Sequence, residues 1–308
     1  MTVFLDEYID PQARKHLEKY ATVVNHFDDP NAIDGIILRV YPVDAELMKK
    51  CKNLKVIGKH GVGCNTIDLE SARKLGITVV NTPRANTNSV AELIVGEILD
   101  IARNITTAHN KSKHGEFTTI APTEMTGIEL TGKTLGLIGT GNIAQRTAEI
   151  LTGGFGMKVV AYDPYVSAET MEKLGYQKHE DVGDMIAQAD VVNISVPLTP
   201  STKDLVSGEI FNRFKPGAIL VNAARGGIVN EKDLYEALST GKLRAAACDA
   251  FVTEPPSAEN TALYNLPNFV GTPHIGATTH EALERMGMEI VDEVLQVLNG
   301  GEARNRVV

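Results

Sequence analysis

Cysteine is scarce in this chain of 308 residues; Cys51, Cys64 and Cys248 are its only thiols. Three are too few for a disulfide scaffold, and their spacing is not that of metal ligands, so a reduced, cytoplasmic setting without a metal is expected. No apolar run approaches the roughly 18 residues of a membrane-spanning helix. The opening MTVFLDEYID lacks the basic start and apolar core of a secretory signal. Basic residues are also in deficit, with 30 Lys and Arg against 39 Asp and Glu, a formal charge of −9. A chain without surplus cations is poorly suited to phosphate backbones, so neither nucleic acid nor membrane is an expected partner. Any anion site must be built from local cations. The sequence has no internal repeat, low-complexity stretch or charge block.

What remains is an ordinary globular composition, 43% hydrophobic and 22% charged. The length is about twice the ~150 residues of a typical domain, so two domains are expected. Short β-branched runs alternate with helical patterns, as in parallel βαβ units. In the first third the runs are VFL (3–5), GIILRV (35–40), LKVIG (54–58) and ITVVN (77–81), separated by pieces such as PQARKHLEKY and DAELMKKC. Residues 87–114 read as one long helix, with Asn86, Thr87 or Asn88 available to cap it. A polar stretch (115–133) follows. Then come TLGLIG (134–139), KVVAY (158–162), DVVNISV (190–196), AILVNAA (218–224), AAACDAF (245–251) and NFVG (268–271). Six nearly continuous apolar runs predict a parallel sheet covered on both faces. The tail HEALERMGMEIVDEVLQVLNG predicts a last helix capped at Asn299-Gly300-Gly301.

Gly139-Thr140-Gly141-Asn142-Ile143-Ala144 follows a predicted strand and opens a predicted helix, the context of a dinucleotide fingerprint. Gly139 would make the tight turn, Gly141 would admit a pyrophosphate to the backbone, and Ala144 suffices for close helix–strand packing. The phosphates would lie on the amides of the helix N-terminus. Asp163 ends KVVAYD, where a carboxylate can accept the ribose hydroxyls of NAD and repel a 2′-phosphate. No Arg or Lys follows in Pro164-Tyr165-Val166-Ser167, so NAD is favoured over NADP. An Asp before Pro could also simply start a turn.

Three further segments end predicted strands, where ligands sit in open parallel sheets. They begin at Asn222, Cys248 and Thr272 and contain Arg225, Glu254 and His274. Arg225, between Ala-Ala and Gly-Gly, suits bidentate recognition of a carboxylate. His274 is a candidate acid/base near neutral pH, and Glu254 could hydrogen-bond its imidazole and favour the protonated form. Each has an ordinary reading: a surface ion pair, a polar residue, a loop acid. Together they suggest hydride chemistry on a 2-keto or 2-hydroxy acid.

The segments GTGNIA, YDPY, NAARGGIVNE, DAFVTEPP and TPHIGATT resemble those of the D-2-hydroxyacid dehydrogenase family, its phosphoglycerate dehydrogenases most closely, across essentially the whole chain. The resemblance implies an α/β fold of two doubly wound parallel-sheet domains. A Rossmann NAD-binding domain (99–280) would be inserted into a smaller flavodoxin-like substrate domain (1–98 and 281–308), with the helix at 87–114 and the tail helix flanking a cleft. It implies Arg225 as the carboxylate binder and carbonyl polariser, His274 as acid/base and Glu254 as its partner. It implies that Asp249, Gly276 and Ala277 hold the nicotinamide carboxamide, and that the Ile143 amide meets the pyrophosphate. Asn142, Pro197, Thr202, Ala223 and His274 join the implied NAD contacts. A homodimer is implied too, with the loop 115–130 and its Phe117 as a dimer element or, more simply, a linker.

The family's substrate loop corresponds to Lys59-His60-Gly61-Val62-Gly63, followed by Cys64-Asn65-Thr66 where relatives usually show Asp-Asn. Gly61 and Gly63 would let amides face a carboxylate. Arg84 stands where relatives commonly carry an uncharged residue. Lys59, His60 and Arg84 could therefore hold a second anionic group on the substrate, unless they are solvated rim residues. The chain ends at Val308, where many phosphoglycerate dehydrogenases continue into a serine-binding domain, so serine feedback is not expected. A non-enzymatic NAD-sensing corepressor of the same fold is the main alternative. Formate or phosphite oxidation is disfavoured by Thr272-Pro273 before His274, where formate enzymes use Gln.

Overall fold

The computed structural model describes every residue of the chain except Glu7. The chain forms two compact units, Met1–Ser89 with Ala277–Val308, and Val90–Gly276. The first division falls earlier than the expected cut after residue 98, since Glu97 of the helix that starts at Thr87 bonds to Thr272 within the second unit; the second falls after residue 276, four residues before the expected 280.

In the first unit β1 (Thr2–Leu5), α1 (Pro11–Glu18), β2 (Thr22–Val24), β3 (Gly35–Leu38), α2 (Ala45–Lys50), β4 (Val56–Lys59), α3 (Leu69–Leu75) and β5 (Thr78–Val80) follow in order. Their parallel sheet runs β2-β1-β3-β4-β5, the flavodoxin-like order. Every residue of β3 and β4 is buried, as expected of central strands covered on both faces. Asp10, Asp44 and Asp68 cap α1, α2 and α3 by accepting first-turn amides. The strand β2 was not expected; it is a three-residue edge strand with no fully buried position, too short to show a pattern.

In the second unit the order is α4 (Thr87–Arg103, entering from the first unit), α5 (Ile105–Lys113), β6 (Thr134–Ile138), α6 (Asn142–Phe155), β7 (Lys158–Tyr162), α7 (Ala168–Lys173), β8 (Gln177–His179), α8 (Val182–Ile186), β9 (Val191–Ile194), β10 (Ile219–Asn222), α9 (Glu231–Ser239), β11 (Ala245–Cys248) and β12 (Phe269–Gly271). The seven-stranded parallel sheet runs β12-β11-β10-β9-β6-β7-β8. Strand order reverses at β6 and β9, the switch point of a doubly wound sheet. The six expected runs are present. The seventh strand, β8, reads Gln-Lys-His and carried no apolar signal.

The single helix expected over 87–114 is two. Asn104 adopts left-handed backbone (φ 55°), and Asp100 accepts the Thr106 amide at 2.7 Å, so a side chain replaces the helical bond at the break. Asn is among the few residues that tolerate this conformation. Of the expected capping oxygens, Asn86 Oδ1 and Thr87 Oγ1 are not used, being buried without partners.

The chain returns to the first unit through α10 (His280–Leu298), capped by Thr279 and ending at Asn299, with Gly300 left-handed (φ 82°) as expected. Ile290, Val294 and Leu298 of α10 join the core of that unit. Gly58 permits the approach, since a Cβ there would stand 2.6 Å from Val294 Cγ2. Among the described residues no helix is long and apolar enough to cross a membrane.

Candidate active site

The loop between β6 and α6 begins at the switch point. Gly139 is left-handed (φ 87°), and a Cβ on it would lie 2.6 Å from the Ser195 carbonyl oxygen, so only glycine turns here. A Cβ on Gly141 would meet nothing within 4 Å, and α6 starts there without a side-chain cap. Open backbone at the N-terminus of a helix is what a pyrophosphate needs. Ala144 is fully buried beneath the loop. Asp163, at the end of β7, accepts the Thr140 amide and hydroxyl at 3.0 Å on one oxygen and the Tyr165 amide at 3.0 Å on the other. It thus ties the glycine loop to the neighbouring strand end. Thr202 donates to the Pro197 carbonyl at 2.6 Å, closing the turn that follows β9. The residues present fit a dinucleotide.

Arg225, Glu254 and His274 lie beyond the ends of β10, β11 and β12. Asn222, nearly buried, shapes the first loop: its Oδ1 accepts the Ala224 amide and its Nδ2 donates to the Arg225 carbonyl. Ala223 is half-buried in this turn. Gly226 presses its backbone onto Phe251, so the loop carrying Arg225 is packed on the one leading to Glu254. The Glu254 carboxylate receives His274 Nδ1 at 3.1 and 3.0 Å and also accepts the Phe251 amide at 3.2 Å. Burial pushes the Glu254 carboxyl up. The His274 hydrogen bond and charge, the Phe251 amide and the Arg225 guanidinium outweigh it and hold the group below its ordinary value. His274 Nε2 makes no hydrogen bond among the described residues, so the nitrogen not held by Glu254 is the one free to exchange a proton. The side chain is 42% exposed. Its backbone is left-handed (φ 57°).

The residues behind His274 are fixed by Asp249, which is 1% exposed. Its Oδ1 accepts the Thr272 hydroxyl at 2.6 Å and the Ile275 amide at 2.8 Å, while Oδ2 accepts the Gly276 amide at 2.8 Å. Asp249 and Gly276, expected to hold one end of a cofactor, are therefore also bonded to each other. Sequence reasoning missed Glu97. This buried carboxyl on α4 lies 3.3 Å from Thr272 Oγ1, and burial together with the Asp249 charge pushes it up to about 8.

In the first unit the segment expected to contact substrate follows β4. Lys59 is 8% exposed, and its ammonium donates to the Arg39 carbonyl, so it is not a rim residue. His60 does not supply the expected positive charge. Burial, with Arg39 and Lys59 nearby, outweighs the Leu283 backbone and brings it down to about 4, and neither ring nitrogen completes a hydrogen bond. Gly61 is left-handed (φ 131°) and its amide donates to Thr82 Oγ1. Val62 is exposed, Gly63 half-buried, and Arg84 exposed. Arg39 was also missed. It follows β3, beside Lys59, and donates to Thr278 Oγ1 at 3.0 Å. Ala277 belongs to this unit, packed with Ala85, Ala282 and Met286. Among the described residues no group of acids, histidines and cysteines could hold a metal.

The family described as D-isomer specific 2-hydroxyacid dehydrogenase, NAD binding domain, matches residues 95–276. The D-3-phosphoglycerate dehydrogenase of Methanocaldococcus jannaschii is 44% identical over 265 residues, covering 86% of this chain and 49% of that protein. The chain thus spans about half the length of the first such relatives it matches. The hydroxypyruvate reductase of Thermotoga maritima is 42% identical over 268 residues, covering 86% of this chain and 85% of that protein. Among solved structures, the TT0316 protein of Thermus thermophilus aligns over 100% of both chains with a TM-score of 0.90 and 36% identity.

Proposed function

The chain belongs to the D-isomer specific 2-hydroxyacid dehydrogenase family, and from that premise we propose that it transfers hydride between NAD and C2 of a D-2-hydroxy acid or its 2-keto counterpart. The observation that carries this reading is the pairing of His274 Nδ1 with both oxygens of Glu254. It leaves Nε2 to give or take a proton while Arg225 stands on the adjoining loop.

Gly139, Gly141 and the first turn of α6 would hold the pyrophosphate, and Asp163 the adenosine ribose. When bound, NAD supplies the hydride donor or acceptor. Arg225 binds the substrate carboxylate with its rigid fork and polarises the neighbouring carbonyl. His274 releases a proton from Nε2 to the carbonyl oxygen in reduction and takes one from the hydroxyl in oxidation. Glu254 fixes the tautomer that makes Nε2 the working nitrogen, and its charge stabilises the imidazolium. Holding acid and carboxylate binder on packed loops limits the search for a reactive geometry.

For the substrate we propose an acid with a second anionic group, such as 3-phosphoglycerate. Three cationic residues, Arg39, Lys59 and Arg84, follow or end β3, β4 and β5 in a chain that is acidic overall. Hydroxypyruvate and glyoxylate, D-lactate or sulfolactate are the competing substrates. The three free thiols fit a reducing, cytoplasmic compartment, and Ile120, 99% exposed in the loop 115–130, fits burial against a second copy of the chain. Reducing a panel of 2-keto acids with NADH and ranking them by kcat/KM tests the proposal. A phosphorylated 2-keto acid should rank first. A higher rank for pyruvate overturns the second-anion reading, and no turnover of any member overturns the dehydrogenase reading.

A further inference from the structure

Glu97 lies outside the proposed chemistry. It sits on α4 among apolar neighbours, is 4% exposed, and its Oε2 is buried without a partner. Its Oε1 faces Thr272 Oγ1 at 3.3 Å, and the same hydroxyl meets Asp249 Oδ1 at 2.6 Å. A threonine hydroxyl has one hydrogen. Directed along the shorter contact to Asp249, that hydrogen is not available to Glu97. The second contact is then favourable only if Glu97 carries a proton and donates to Thr272 Oγ1.

Resting on the reading that the second unit binds NAD, we infer that Glu97 is a positioning residue: Glu97, Thr272 and Asp249 form one directional hydrogen-bond chain that sets the Ile275 and Gly276 amides, and with them the turn bearing His274 and the seat of the nicotinamide carboxamide. Asp249 reaches those amides at 2.8 Å each, directly after His274 in the chain. A group on a helix more than 150 positions away in sequence thereby reaches the acid/base residue without touching it.

The charged and titratable groups around Glu97 agree on the sign. Asp249 faces it from the end of β11, Cys248 from β11 itself, and Asp100 from the next turn of α4. Burial acts first, the Asp249 and Asp100 charges add to it and no cation compensates; only the Thr272 hydroxyl, when it turns toward Glu97, acts the other way, so the neutral carboxyl is favoured and its ionisation lies near 8. Above that pH one hydroxyl hydrogen is contested by two carboxylates, and their repulsion loosens the Thr272–Gly276 turn.

The test is the dissociation constant of NADH, followed by its own fluorescence from pH 6 to 9.5, for the wild type, Glu97→Gln and Glu97→Ala. Glutamine donates to Thr272 at every pH, and alanine at none. The wild type should weaken by up to about tenfold per pH unit above pH 8, as expected when one proton is linked to binding. Glu97→Gln should lose that alkaline weakening, and Glu97→Ala should bind more weakly than Glu97→Gln at pH 7. Parallel pH profiles for wild type and Glu97→Gln would overturn the role of Glu97 while leaving NAD binding intact. No NADH binding by the wild type at pH 7 would instead overturn the cofactor reading.

A second measurement does not depend on binding. The infrared difference between wild type and Glu97→Gln at pH 7 should contain a protonated-carboxyl band that disappears above pH 9. Its absence at pH 7 would overturn the chain even if the alanine variant failed to fold.

Discussion

Gly226 and Phe251 meet backbone to backbone: a Cβ on Gly226 would stand 2.0 Å from the Phe251 carbonyl carbon and 2.1 Å from its oxygen. No rearrangement of a flexible side chain can relieve that overlap, because both obstructing atoms are main chain. The contact sets where Arg225 begins and where the turn toward Glu254 starts.

Gly226→Ala is therefore expected to displace the two loops against each other. A misplacement of about 1 Å costs on the order of a hundredfold in rate, so kcat/KM for the best 2-keto acid should fall by roughly that factor. Steady-state kinetics on a variant with native circular dichroism checks this. The adjacent Gly227→Ala, whose Cβ would meet no atom closer than 3.8 Å but whose backbone is left-handed (φ 79°), should be milder.

Glu254→Gln removes the charge opposite His274 and keeps the size. It should lower kcat at pH 7 by roughly a hundredfold or more, the scale of a general acid–base contribution. The sign of the pH effect follows from the depressed Glu254 carboxyl. Its pairing is fully present above the ordinary glutamate range and is lost only as pH falls through the lowered value. Wild-type activity should thus keep this pair well into mild acid, and a kcat profile from pH 4 to 7 compares the two proteins. With the side chain 37% exposed, solvent screens the ion pair, and the variant should melt close to wild type.

Glu97 carries the opposite sign. Its carboxyl ionises near 4.5 when unconstrained and near 8 in the fold, so the folded state holds an extra proton between those values. Stability falls as pH rises across that window and levels above it. Glu97→Gln should flatten the decline, melting on the order of 5 °C above wild type at pH 8 with the gap closing toward pH 5. Differential scanning calorimetry at both pH values measures it.

Much of this was legible in the sequence because the elements that carry chemistry obey strong local rules. Gly139, Gly141 and Ala144 between a β-branched strand and an amphipathic helix have one common structural meaning, and the observed φ of Gly139 agrees with it. The strands ending at Asn222, Cys248 and Gly271 carry no charged residue, and only the terminal Asn222 is polar. What stayed hidden depends on tertiary contact. Strands β2 and β8 are three-residue edges whose pairing comes from the sheet. The break at Asn104 needs Asp100 to reach forward to Thr106, which no Pro or Gly announces. Glu97 stands in mid-helix with no motif around it, and its role depends on Thr272, 175 residues away in sequence. Arg39 closes the apolar run GIILRV in sequence, yet it lies just beyond β3.

On the proposed mechanism His274, held at Nδ1 by Glu254, moves the proton of an NAD-dependent hydride transfer at C2. The most direct measurement is kcat and KM for NADH-dependent reduction of the best 2-keto acid by wild type and His274→Gln at pH 7. In the variant kcat should fall roughly 10²- to 10⁴-fold with a far smaller change in KM. A His274→Gln variant whose kcat stays within about threefold of wild type would contradict it.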